Sequence, residues 1–189
     1  TRPPPGPGDW LAGVALGPAG ARRYHLYRPP GPRVVGERLP LLVMLHGCGQ
    51  TGRDFAVATR MNRLAARHRF LVLYPEQDRL ANAQGCWNWF DSRTGRAAAE
   101  AATVLAAVDQ VATLYGADRT RVAVAGLSAG ASLAALLAAE HPSRFVAVAV
   151  AAGVGPGAAH STATGLSAMR GRRLPHLDGA GPLPPLLVL

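Results

Sequence analysis

The stretch Arg121–Gly130, Arg-Val-Ala-Val-Ala-Gly-Leu-Ser-Ala-Gly, constrains the fold more than any other in the chain. Val122 to Ala125 alternate β-branched and small apolar residues, the pattern of a strand buried on both faces of a parallel sheet. Gly126-Leu127-Ser128-Ala129-Gly130 fits G-x-S-x-G, and the alanine- and leucine-rich run 131–141 predicts a helix. A serine on so tight a strand-to-helix turn is forced outward above the carboxyl end of the sheet, and the two glycines leave room for the turn and for close strand–helix packing. The amide of Ala129, at the helix N-terminus, would face the place where an oxyanion forms. The pentapeptide alone is a weak signal, although with 22 glycines in 189 residues chance gives only roughly 0.08 matches. An N-cap serine on an ordinary helix is the plainer alternative. The strand–turn–helix setting favours the exposed nucleophile.

The flanking segments predict an alternation of strands and helices. Residues 1–20 begin with a proline- and glycine-rich run and are expected to be a disordered lead or linker, with one domain over 21–189. Period-two patterning over 22–28 suggests an early antiparallel strand, and the apolar run 41–45 a buried one. That second strand delivers His46-Gly47-Cys48-Gly49-Gln50, a glycine-bearing loop. Asp54 is placed to cap a helix with Val57, Met61, Leu64 and His68 on one face. Residues 70–74 read as a strand, and 76–95, polar and aromatic without period, as a long functional loop. Val104, Val108, Val111 and Tyr115 mark the clearest helix, ended by Gly116. Further strands are expected over 145–151 and from Leu186, with a helical turn over 166–169. Together these predict an α/β fold, a mostly parallel sheet with helices on both faces.

The formal charge of +9 invites a nucleic-acid reading. All 20 basic residues are arginine, however, and they are scattered without a basic–aromatic stripe, so a compositional bias explains them better than a basic interaction surface. No apolar run approaches a membrane span.

The order strand, His-Gly-Cys, long loop, strand, Gly-Leu-Ser-Ala-Gly, helix is that of the α/β-hydrolase fold. His46-Gly47-Cys48-Gly49-Gln50 with Asp54-Phe55, and Pro75-Glu76-Gln77 followed by Cys86-Trp87-Asn88-Trp89-Phe90, resemble the esterase family of polyhydroxybutyrate depolymerases, which includes feruloyl and acetylxylan esterases. The resemblance runs from about Tyr24 to the end of the chain. It implies a serine carboxylic-ester hydrolase needing no metal or organic cofactor, with an ester of a polyester or polysaccharide as its partner. Ser128 would be the nucleophile, with the amides of Ala129 and Cys48 as oxyanion hole. His46 is either a general base or, with Gly47, a buttress of the oxyanion loop; the second reading is preferred. His160 and His176 match no motif position. Trp87 and Trp89 are either a plug anchoring the long loop or a wall for the substrate.

Cys48 and Cys86 are two free thiols in a cytosolic protein, or a disulfide joining loops at the same end of the sheet in an extracellular or periplasmic one. In this fold the acid and histidine of the triad follow the serine in the chain. The family's acid follows the strand beginning at Leu186, and its histidine is later still. Asp178 precedes that strand and is a poor substitute. The 189 residues are therefore expected to be an amino-terminal part of the domain, truncated at the carboxyl end and inactive alone. A hydroxyalkanoate polyester or its oligomers is the expected substrate, against a feruloyl or acetylxylan ester; a non-catalytic hydrolase-like binding protein is the alternative of a different class.

Overall fold

A computed structural model describes residues 3–32, 34–176 and 182–189. Seven strands form one sheet: β1 (Asp9–Gly17), β2 (Gly20–Arg28), β3 (Leu39–Leu45), β4 (Leu71–Pro75), β5 (Ala117–Leu127), β6 (Ala147–Ala151) and β7 (Leu186–Val188). Their spatial order is β1-β2-β4-β3-β5-β6-β7. β1 and β2 run antiparallel to their neighbours, and every pairing from β4 through β7 is parallel. Among the described residues there are also five α-helices, α1 (Gly52–Thr59), α2 (Met61–His68), α3 (Arg96–Tyr115), α4 (Ala129–Glu140) and α5 (Thr162–Met169), and a 3-10 turn over Pro142–Arg144.

Strand alternation sorts the core into two layers. Leu41, Val43, Leu45, Leu71, Leu73, Val122 and Val124 face α3 and α4. Leu42, Met44, Val72 and Tyr74 face the other way, against Phe55, Ala56 and Ala65 of α1 and α2. The sheet is covered on both faces, as the continuous apolar strands require. α3 is long and apolar enough to cross a membrane by length and composition. It lies instead against the sheet with ten of its residues buried.

Two expectations fail here. Residues 9–17, expected within a disordered lead, form β1, paired with β2 from Asp9↔Arg28 to Gly17↔Gly20. Glycine interrupts the apolar alternation of β1, so this strand owes its form to the partner rather than to its own pattern. The helix expected after Asp54 is two helices. Arg60 adopts a left-handed conformation with φ 54° and caps the first through its N–H to Ala56 O. The two helices share no single face: Val57 of α1 and Leu64 of α2 are exposed, while Phe55 of α1 and Asn62 and Ala65 of α2 are buried. Thr51 and Asp54 form a reciprocal capping box at the start of α1. Asp178 lies outside the described residues.

Candidate functional site

β5 ends at Leu127 and α4 begins at Ala129, leaving Ser128 as the whole connection. Its φ of 53° and ψ of −119° are a conformation that side chains rarely adopt. The surroundings hold it there. Ser128 N–H donates to Ala151 O at 2.9 Å, and Ser128 O accepts from Ser132 N–H at 3.0 Å. Ser132 Oγ in turn accepts from Val154 N–H at 2.8 Å, tying the loop after β6 to α4. Ser128 itself is exposed, between half-buried Leu127 and buried Ala129.

The two glycines of the motif are needed for contact rather than flexibility. A Cβ on Gly126 would overlap the Gly130 carbonyl, and one on Gly130 would overlap the carbonyl oxygens of Leu45 and His46. Neither obstruction is a movable side chain. Gly130→Ala should therefore destabilise the protein by at least about 3 kcal/mol. Chemical denaturation of wild type and variant measures this, and equal midpoints would show that the close approach is dispensable.

The loop after β3 is fixed by His46. Its Nδ1 lies 2.8 Å from Gly47 O and its Nε2 accepts from Gln77 N–H at 3.0 Å. A carbonyl can only accept, so the proton is on Nδ1. The His46 carbonyl accepts from Trp87 Nε1 at 3.0 Å. Both ring nitrogens are thus occupied, which leaves the ring no capacity to act as a base. Burial pushes the His46 pKa below its ordinary value of 6.5 and keeps it neutral. Neutral His46 then contributes stability that is fully present above about pH 6.5 and is lost as pH falls towards the lowered native value. Melting temperature should drop on acidification in that window, and the slope should flatten in His46→Asn. Glu76, held below the usual carboxylate range first by its hydrogen bond to His25, acts in a separate window below 4.5. An identical slope in the His46 variant would refute the assignment.

Cys48 and Cys86 form a disulfide across a separation of 38 residues. Gly49 N–H donates to Gln84 O nearby at 3.0 Å, so this bond and the disulfide add to the two bonds of His46 that already join the oxyanion-loop candidate to the 76–95 loop. Beneath them lies a buried polar cluster that sequence reasoning missed. Glu100 of α3 accepts from Gln77 Nε2 at 2.7 Å and from Asn88 Nδ2 at 2.8 Å. Arg22 of β2 pairs with it at 3.5 Å, both side chains being 1% exposed, and lies 5.8 Å over the Trp87 ring. The available signal was a carboxylate four and eight residues before Val104 and Val108, hence on the apolar face of α3.

A cavity of about 440 Å³ opens above Ser128. Cys48, Ala129, Trp89, Phe90, Leu166 and Met169 are among the residues lining it. Trp87 is not, and is fully buried. Its substrate-wall reading is corrected to a plug whose indole is consumed by the His46 carbonyl. Trp89 and Phe90 line the cavity, packed edge to face at 5.7 Å. α5, whose Leu166 and Met169 close the other side, was expected only as a turn. Among the described residues no histidine lines the cavity. His160 is half-buried behind the capping residues of α5, its N–H on Thr164 Oγ1, and His176 is exposed.

Residues 22–177 match the family described as Esterase PHB depolymerase. Poly(3-hydroxyalkanoate) depolymerase C of Paucimonas lemoignei is 37% identical over 123 residues, 65% of this chain and 30% of that protein. Feruloyl esterase B of Neurospora crassa is 32% identical over 125 residues, 65% of this chain and 42% of that protein. The chain thus spans less than half the length of these relatives. The solved acetyl xylan esterase from Aspergillus awamori superposes with a TM-score of 0.70 at 23% identity, covering 93% of this chain and 58% of that one. That likeness shows the α/β-hydrolase fold.

Proposed function

The chain belongs to the Esterase PHB depolymerase family, and on that premise we propose that the whole protein is a serine carboxylic-ester hydrolase with Ser128 as nucleophile. The observation that carries the reading is an exposed serine, held at φ 53° and ψ −119°, at the floor of a largely apolar cavity. In this mechanism Ser128 Oγ attacks the ester carbonyl carbon and loses its proton to a histidine outside the cavity lining described above. The amides of Ala129 and Cys48 receive the developing oxyanion; Ala129 opens α4, where amides lack partners within the helix. The alcohol leaves with the proton, and water then cleaves the acyl-serine to release the acid.

His46 and Gly47 support the oxyanion loop rather than reacting, since the His46 ring holds Gly47 O and Gln77 N–H. The substrate class we favour is a hydroxyalkanoate polyester or its oligomers; the Trp89–Phe90 wall also suits a feruloyl ester, and acetylxylan is the third candidate. The disulfide supports an extracellular or periplasmic location. The rival of a different class is a hydrolase-like protein that binds without cleaving. Full-length protein assayed on hydroxybutyrate oligomers, methyl ferulate and acetylated xylan tests both. Turnover of the oligomers above the others supports the proposal, and no turnover of any favours the rival.

A further inference from the structure

The cavity above Ser128 is apolar on one side and charged on another. Its charged lining residues, among those described, are Asp91 and Arg96. They are unequally engaged. The Asp91 side chain is 17% exposed, and its Oδ1 accepts from Thr94 N–H at 3.3 Å. The Arg96 side chain is 57% exposed, and its Nε stands 4.0 Å from Asp91 Oδ2, the outer limit of an ion pair. No hydrogen bond holds the two terminal nitrogens of Arg96 among the described residues. Arg69 and Arg144, by contrast, donate to carboxylates at 2.9 and 2.6 Å.

The Asp91 contact is on the Nε side, so it leaves the terminal fork of the guanidinium available. That fork matches a carboxylate in two parallel hydrogen bonds, a geometry that a lysine or an amide cannot reproduce. Arg96 also stands on a rigid element. It opens α3, whose next residue is tied back by Ala97 N–H to Asp91 O at 3.0 Å, and α3 is packed on the sheet. A cation on a fixed support beside an apolar wall and an exposed serine is a two-point recognition site.

We infer that Arg96 is a specificity-determining residue that binds a free carboxylate on the substrate while the ester carbonyl lies at Ser128. This rests on the reading of Ser128 as an ester-cleaving nucleophile. The substrate body would lie along Trp89, Phe90, Leu166 and Met169. The chemical class is a linear oligoester of a hydroxy acid, which carries one terminal carboxylate, in preference to a neutral aryl or acetyl ester. The carboxylate held by Arg96 is unchanged in the reaction. Each turnover adds one water across an ester bond, giving one new hydroxyl and one new carboxylic acid, which ionises.

The test compares a hydroxybutyrate trimer as free acid with the methyl ester of the same trimer, in full-length wild type and Arg96→Gln. Because Arg96 is more than half exposed, solvent screens the pairing, and the expected preference for the free acid is roughly fivefold in kcat/KM at low salt. It should reside mainly in KM and shrink at high salt. In Arg96→Gln the ratio should fall to about one. A ratio is insensitive to loss of folded protein, which scales both rates alike. Equal rates on the two substrates in wild type, or a preference that survives in the variant, would overturn the role of Arg96 while leaving Ser128 untouched. Failure of wild type to cleave either trimer would overturn the nucleophile reading and this inference with it.

Discussion

Ser128→Ala is expected to lower kcat for ester hydrolysis by about 10⁶ and to abolish covalent labelling by a fluorophosphonate. The size of the effect follows from what the substitution removes and what it leaves. The bonds that fix Ser128 use its backbone, N–H to Ala151 O and carbonyl to Ser132 N–H, and alanine keeps both. Alanine is also no larger at the strained turn. The variant should therefore fold with the cavity and both amides in place, so the lost rate reports chemistry rather than stability. Residual activity would be the share of binding and oxyanion stabilisation alone. Rates on p-nitrophenyl butyrate and the intact mass of the adduct measure the two effects in the full-length protein. Labelling that persists in the variant would place the nucleophile elsewhere. Wild type that neither labels nor turns over would mean that the elbow serves binding.

The double variant Cys48→Ser/Cys86→Ser is expected to be less stable by about 4 kcal/mol in the chain-entropy description of a 38-residue loop. For a domain of this size that is a fall in melting temperature of roughly 8–16 °C. The chemical consequence should exceed the thermal one at the active site. Cys48 would supply an oxyanion donor from its own backbone, and the bridge joins that backbone to the loop bearing Trp89 and Phe90. Activity should drop at temperatures where the variant is still folded, by up to the two or three powers of ten that one donor is worth. Differential scanning calorimetry, with activity measured well below the transition, separates the two. Dithiothreitol should mimic the variant in wild type. A melting temperature unchanged by either treatment would show that the hydrogen bonds at Gly49 and around Glu100 hold the loop by themselves.

The sequence by itself determined the parts of this protein whose cause is local. β3, β4 and β6 are apolar runs that only a sheet covered on both faces accommodates, and α3 carries its period and its terminating glycine in its own residues. The turn at Ser128 was legible from Gly126 and Gly130, but what fixes it is distant in the chain: Ala151 O accepts from Ser128 N–H, and the carbonyls of Leu45 and His46 leave no room for a Cβ at position 130. Tertiary structure decided everything that depends on a partner distant in the chain. β1 is a strand because β2 lies beside it, and α1 and α2 part at Arg60 because each must bury a different face. Trp87 and Trp89 are two residues apart, yet one is fully buried on the His46 carbonyl and the other faces the cavity. His46 and Glu100 could each pass for a catalytic group in sequence. Burial and fixed donors turn them into supports, because a ring with both nitrogens bonded and a carboxylate ringed by Gln77, Asn88 and Arg22 have nothing left to offer a substrate.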